Sequence, residues 1–285
     1  MHDHGESLKE PFTGRPREPK KGRRGVSPTY QALIEAHRWK GKTVVDIGCG
    51  TGAGTVLLAK LGADAVGVDV DAEVLIQAKE RAEEEGATGA RFLCADVEMA
   101  EYAALAGAPR GIDGVLAHLC FSDEIAKRAG RALKPGGLFF IRAFEEEMWK
   151  ESGPGSEFAY SEDDMKKVLV DAGFRINRLE VERRVQTFSS FPEFEASMLW
   201  DEHRRAQWEA GGRLERLRAS FASGNRNLTE AFLVIEAQRI GEKAATRRPV
   251  RKVPKKSKKK AKRLAKKRKG GKKRKGAPRR SSRRS

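Results

Sequence analysis

Residues 44–52 read VVDIGCGTG, and no other stretch constrains the fold as much. A β-rich run ends at Ile47, three glycines follow at alternate positions, and helix-forming residues begin at once. Glycine lets a chain turn sharply at the end of a strand and leaves bare backbone against which a ligand can lie. The stretch therefore predicts a strand, a tight loop and a helix, with a binding site at the strand's carboxyl end.

The rest of residues 26–240 keeps the same rhythm. Strands are expected at 43–47, 65–68, 91–94, 112–119 and 138–143, with helices at 54–61, 72–85 and 123–133 and a turn at Lys134-Pro135-Gly136-Gly137. Ser27 followed by Pro28 has the form of a helix start, so a short helix precedes the first strand. Beyond 143 the pattern predicts a helix at 162–172, a long strand at 174–187 and a last strand at 228–237. Alternation of this kind specifies an α/β fold: a doubly wound, mostly parallel seven-stranded Rossmann-like sheet with helices on both faces. Residues 189–227 are too long for a hairpin and helical in pattern, a helical cap inserted before the last strand. Within it the aromatic stripe Phe191, Phe194 and Trp200 reads as core rather than as a substrate cover.

Charge divides the chain. Of its 58 Lys and Arg, 24 lie between Lys243 and Ser285 with no Asp or Glu, leaving 34 basic against 40 acidic residues before them. The body is mildly acidic and the tail, 241–285, is a Lys/Arg-rich segment expected to be disordered. Such a tail suits nonspecific contact with the phosphates of nucleic acid. Residues 1–25, rich in Pro, Gly and charge, are expected to form a flexible arm. Cys49, Cys94 and Cys120 form no CxxC pair, which argues against a zinc site or a disulfide framework and for three small hydrophobes in a reducing compartment. No run approaches the ~20 apolar residues of a membrane span. A soluble cytoplasmic protein is expected, associated with nucleoid or nucleus if the tail directs it there.

Gly48, Gly50 and Ala53 also satisfy a dinucleotide fingerprint, so the glycines alone do not decide the ligand. Asp46 does more. A pyrophosphate beside it would be repelled in a low-dielectric crevice, whereas S-adenosylmethionine carries a sulfonium and an ammonium that a carboxylate attracts. Asp69 ends the second strand, where a carboxylate can accept from ribose hydroxyls. Asp96, at the end of the third, can accept from an adenine amino group while the Val97 amide reads the ring.

With VGVDVD at 66–71, CADVE at 94–98, GIDGVLAHLCFSDE at 111–124 and LKPGGLFFIRAF at 133–144 following in order, residues 43–143 resemble the class I S-adenosylmethionine-dependent methyltransferases, close to members that act on small molecules and in quinone pathways. The resemblance implies S-adenosylmethionine as cofactor, held by Asp46, Gly48, Cys49, Gly50, Gly52, Asp69, Val70, Asp96, Val97 and His118. It places His118 beside the transferring methyl, where it is the first candidate base; Tyr30 and Tyr160 are weaker ones. Enzymes that methylate exocyclic base nitrogens resemble one another in an NPPY or DPPY tetrapeptide where this chain has His118-Leu119-Cys120-Phe121, which argues against that chemistry. A small-molecule acceptor under the cap is expected. An RNA or protein acceptor captured by the tail, and a nucleic-acid-binding protein on a catalytically lapsed scaffold, are the alternatives.

Overall fold

A computed structural model describes residues 25–241 apart from 157, 200 and 201. The expectations for the basic tail, the amino-terminal arm and Trp200 lie outside the described residues.

Helix α1 (Pro28–Glu35) starts where the Ser27 hydroxyl accepts from the Tyr30 amide. The alternating elements are β1 (Thr43–Ile47), α2 (Ala53–Lys60), β2 (Asp64–Asp69), α3 (Ala72–Glu84), β3 (Ala90–Cys94), α4 (Tyr102–Leu105), β4 (Ile112–His118), α5 (Asp123–Ala132) and β5 (Leu133–Glu145). Side chains cap the main helices: Asp71 accepts from the Glu73 and Val74 amides, and Ser122 from the Ile125 amide. Each cap is worth about 1 kcal/mol. A helical turn at Lys150–Ser152, the two-residue strand β6 (Ala159–Tyr160) and α6 (Glu162–Asp171) follow, then β7 (Phe174–Thr187), α7 (Phe191–Met198), α8 (Glu202–Ala210), α9 (Arg213–Ala222) and β8 (Asn227–Arg239).

The sheet runs β3-β2-β1-β4-β5-β8-β7, with β6 pairing β5 off this path. β1 to β5 are parallel, while β8 runs antiparallel to both β5 and β7. The order reverses at β1, which pairs β2 on one side and β4 on the other, and the glycine loop leaves β1 at that crevice. This is the doubly wound architecture that the sequence pattern predicts. The insertion, helical in pattern, resolves into three helices. The predicted turn at 134–137 lies inside β5: the strand pairs from Leu133 onward, and a register shift near Gly136 (φ +84) absorbs the turn residues.

Alternation along β5 splits the core. Phe139 and Ile141 pack with Val45, Val68, Val115 and residues of α5 and α6. Phe140, on the other face, packs with Val44, Leu116 and α1's Tyr30, Leu33 and Ile34. Tyr30 is fully buried; its hydroxyl donates to the Phe140 carbonyl at 3.0 Å and accepts from the Ala117 amide at 3.2 Å. It ties α1 to the sheet, and both its hydrogen-bonding roles are taken.

The cap has a core of its own, built from Phe188, Phe194, Trp208, Leu214, Leu217, Phe221 and Leu228. Phe194 is fully buried there, as the stripe reading expects. Arg213 Nη1 donates to Ser152 Oγ at 2.8 Å and Arg216 Nε to the Ser152 carbonyl at 2.7 Å, fastening α9 to the turn after β5. Because β8 is antiparallel to β5, the cap, which joins the end of β7 to the start of β8, stands at the carboxyl end of the parallel strands.

Candidate active site

The glycine loop is a hydrogen-bonded unit. Gly48 has φ +61, and a Cβ there would collide with Cys120 Cβ and Sγ. Gly50 has φ +52 with nothing within 4 Å of where a Cβ would stand, so its surface is open to a ligand. The Gly50 amide donates to Asp69 Oδ2 at 2.8 Å, and Asp69 Oδ1 accepts from the Asp71 amide at 3.0 Å. Asp69 therefore sets the loop against the end of β2, and each of its oxygens keeps a lone pair for a ligand hydroxyl.

Asp46 lies beneath the loop, 3% exposed, and its Oδ2 accepts from Thr55 Oγ1 at 2.7 Å. Burial pushes its carboxyl up to about 7; Thr55's hydrogen bonds pull it down and the charge of Asp69 pushes it up again. Its position thus combines a loop-tying role with a charge held at low dielectric. Burial likewise raises the Cys49 thiol well above its ordinary range and the Cys120 thiol to about 12, so neither is a ready nucleophile. Cys94 does not behave as a buried hydrophobe: it is exposed, with Sγ 3.5 Å from the Val70 carbonyl.

Val70 projects into solvent, 67% exposed, beside Asp69. β3 ends at Cys94, so Asp96 stands two residues past the strand. It is exposed there, with Oδ1 accepting from the Glu98 amide at 2.8 Å. Val97 packs against the core and its carbonyl accepts from Tyr102 Oη at 2.8 Å. Asp96, Asp69, the glycines and His118 thus follow in the order of β3, β2, β1 and β4 along one edge.

His118 closes β4 one residue beyond Ala117, the register partner of Ile47. Its ring is half-buried, 5.1 Å from that of Tyr30, and its Nε2 is enclosed without a partner. Burial, reinforced by the charge of Arg142, lowers its pKa to about 4, so the imidazole is neutral at physiological pH. The next residue, Leu119, has φ +62, a conformation that costs an L-residue about 1–2 kcal/mol, and its amide donates to the Arg142 carbonyl at 2.7 Å. Tyr160 stands apart from this group. Its hydroxyl donates to Asp123 at 3.0 Å in a groove of about 490 Å³ between α5 and α6, lined by none of the loop residues.

Sequence reasoning missed Arg142. It lies in register with His118, is 9% exposed, stacks its guanidinium 3.4 Å from the centroid of the Phe232 ring, and bonds Glu182 through Nε at 3.0 Å. The available signal was a lone charge in the apolar strand FFIRAF.

Residues 39–176 match the family model described as a methyltransferase domain. Those residues form a methyltransferase domain of the class I S-adenosylmethionine-dependent kind. A ubiquinone biosynthesis O-methyltransferase of Methylococcus capsulatus is 34% identical over 122 residues, covering 41% of this chain and 49% of that protein. The chain thus spans about half the length of the curated relative. Among solved structures, the YcgJ protein of Bacillus subtilis superposes with a TM-score of 0.55 at 15% identity, covering 75% of this chain and 99% of that one. The [4+2]-cyclase SpnF superposes with 0.51 at 20% identity, covering 75% and 81%. These two likenesses concern the fold. No helix among the described residues of this methyltransferase domain is long and apolar enough to cross a membrane.

Proposed function

We propose that this chain methylates a small molecule at oxygen, with S-adenosylmethionine bound along the β3-β2-β1-β4 edge. The carrying observation is the Gly50–Asp69 hydrogen bond at the open face of the glycine loop, which fits a ligand with ribose hydroxyls laid on bare backbone. Asp69 would hold the ribose beside Val70, and Asp96 with Val97 the adenine. Gly48, Cys49, Gly50 and Gly52 would lie along the methionine end, whose carboxylate can use free amides at the start of α2. Asp46 would offset the ammonium and sulfonium charges through the loop. When bound, the cofactor supplies an electrophilic methyl group on sulfur. The protein's own contribution is alignment of the acceptor, worth ~7 to 11 kcal/mol in well-oriented reactions. His118, with Nε2 enclosed, would take the acceptor's proton at Nδ1.

Oxygen as the accepting atom is supported by the named activity of the Methylococcus relative, and a small acceptor by the cap at the carboxyl edge. Calorimetric titration of the full chain with S-adenosylmethionine and with NADH tests the cofactor assignment. Micromolar binding of the first alone, weakened at least tenfold by Asp69→Ala, is expected. Preference for NADH, or no binding to the folded chain, refutes it. A second reading, capture of a nucleic-acid substrate, is favoured by the 24 Lys and Arg of residues 243–285.

A further inference from the structure

The geometry points to Arg142 as the residue that activates the acceptor, by holding a phenol or enol oxygen while that oxygen gives up its proton. This rests on the methyltransferase reading above.

A guanidinium has five N–H donors. In Arg142 the Nε–H goes to Glu182 Oε2 at 3.0 Å, one face is covered by the Phe232 ring at 3.4 Å, and no described residue accepts from Nη1 or Nη2. Neither of those nitrogens is among the fully enclosed unpartnered atoms. The arginine is nine-tenths buried, yet its terminal donors remain accessible and uncommitted to any described residue. An oxygen ligand would match them.

The position agrees. Ile47 pairs Ala117 just before the glycine loop, and His118 pairs Arg142, so Arg142 stands two strands from β1. At ~4.8 Å per strand that is roughly 10 Å, the span of a methyl donor and a ring. The adenosine end would run the other way, toward Asp69 and Asp96, leaving the β4–β5 side for the acceptor.

The charges select the acceptor. Around Arg142 stand Glu182 on β7, Glu230 on β8, Tyr30 on α1 and His118 on β4. Two carboxylates disfavour an acceptor that is permanently anionic. A neutral hydroxyl that becomes anionic only in reacting meets less repulsion. His118, held near 4, is a weak base for a phenol. The guanidinium, which adds to burial in depressing it, stabilises the phenolate and supplies the missing driving force. In the step, the acceptor O–H bond breaks with its proton passing to His118 Nδ1. The oxygen's electron pair forms the O–CH3 bond, and the C–S bond breaks with its pair left on sulfur. A sulfonium, a phenol and an imidazole become a thioether, an aryl methyl ether and an imidazolium, with one positive charge on each side.

The test uses the full chain loaded with S-adenosylhomocysteine and 4-nitrocatechol, whose phenolate absorbs visible light. A bound-state pKa lowered by about one unit or more relative to water is expected, as for an acid beside a guanidinium. In Arg142→Met the shift disappears, and in Arg142→Lys it shrinks. With S-adenosylmethionine instead, Arg142→Met slows methylation of catechol about 100-fold, the loss for one preorganised oxyanion donor, and slows the already ionised 4-nitrocatechol much less. Cofactor affinity measured on each variant reports folding; if Arg142→Met fails there, Arg142→Lys carries the comparison. An unshifted or unbound 4-nitrocatechol on a wild-type chain that binds cofactor overturns the role of Arg142 and leaves the methyltransferase reading standing. A wild-type chain that binds no cofactor overturns that reading instead.

Discussion

Asp46 and His118 are shifted in opposite directions, and this makes the pH dependence of stability a test of both environments. The Asp46 carboxyl stands near 7 in the folded protein against 3.8 for an ordinary Asp. The folded state binds this proton more tightly, so its contribution is full below pH 3.8 and is lost as pH rises through 7. Between pH 5 and pH 8 the loss is about 3 kcal/mol. His118 stands near 4 against 6.5, so the unfolded state binds its proton more tightly and stability rises with pH over the same interval, by about 2 kcal/mol. In the wild type the two slopes nearly cancel. Asp46→Asn keeps an oxygen to accept from Thr55 but removes the titration, so its cofactor-free stability rises by about 2 kcal/mol from pH 5 to 8. His118→Gln leaves Asp46 alone and falls by about 3. Urea unfolding of the cofactor-free protein at the two pH values measures each, and subtraction of the wild-type curve removes every other titrating group. Two variants that both run parallel to the wild type would refute the burial argument.

Other substitutions separate the parts of the site. Gly48→Ala meets Cys120 as well as a left-handed φ and should cost at least about 1–3 kcal/mol in thermal unfolding. Gly50→Ala meets only the left-handed φ, about 1–2 kcal/mol, and should lose cofactor affinity out of proportion to that cost in calorimetry. Phe194→Ala empties the centre of the cap, at about 3–5 kcal/mol; tryptophan fluorescence from Trp149 and Trp208, whose rings lie 5.0 Å apart, should change while cofactor affinity holds. Deleting residues 243–285 should abolish salt-sensitive retention on nucleic acid without changing cofactor affinity; loss of cofactor binding would contradict the division of the chain.

The parts of this structure that were legible in the sequence are those built from near neighbours. VVDIGCGTG announced the loop because Asp46 and Thr55 are nine residues apart and Gly50 and Asp69 nineteen, so strand, turn and helix appear in one window. β7 was legible to the residue because it alternates on both sides of one irregularity between Ile176 and Arg178, whereas Lys134-Pro135-Gly136-Gly137 read as a turn although β5 carries it as an irregularity. Local turn chemistry was right there; the pairing of Leu133 with Ile112 was not visible locally. Asp46 was read as a charge facing a ligand, and only burial reveals that its first partner is Thr55. Leu119 gave no signal at all, since nothing in its type suggests a positive φ.

Arg142 shows why the proposed acceptor side is harder to read than the proposed cofactor side. Its partners Glu182 and Phe232 lie 40 and 90 residues away, on β7 and β8, which follow the parallel set and join it through the antiparallel pairing of β8 with β5. A lone arginine in FFIRAF could have been an outward-facing residue of an edge strand, and only the pairing of β8 over β5 makes it a buried cation. The proposed cofactor edge is thus determined by contiguous segments and the proposed acceptor edge by the late antiparallel pair and the cap between its strands. A change of acceptor can therefore arise on β7, β8 and the cap without disturbing Asp46, Gly50 or Asp69. The same fold is seen in the [4+2]-cyclase SpnF, so the fold leaves the chemistry open. Residues such as Arg142, more than the glycine loop, are where this chain's choice of acceptor has to be sought.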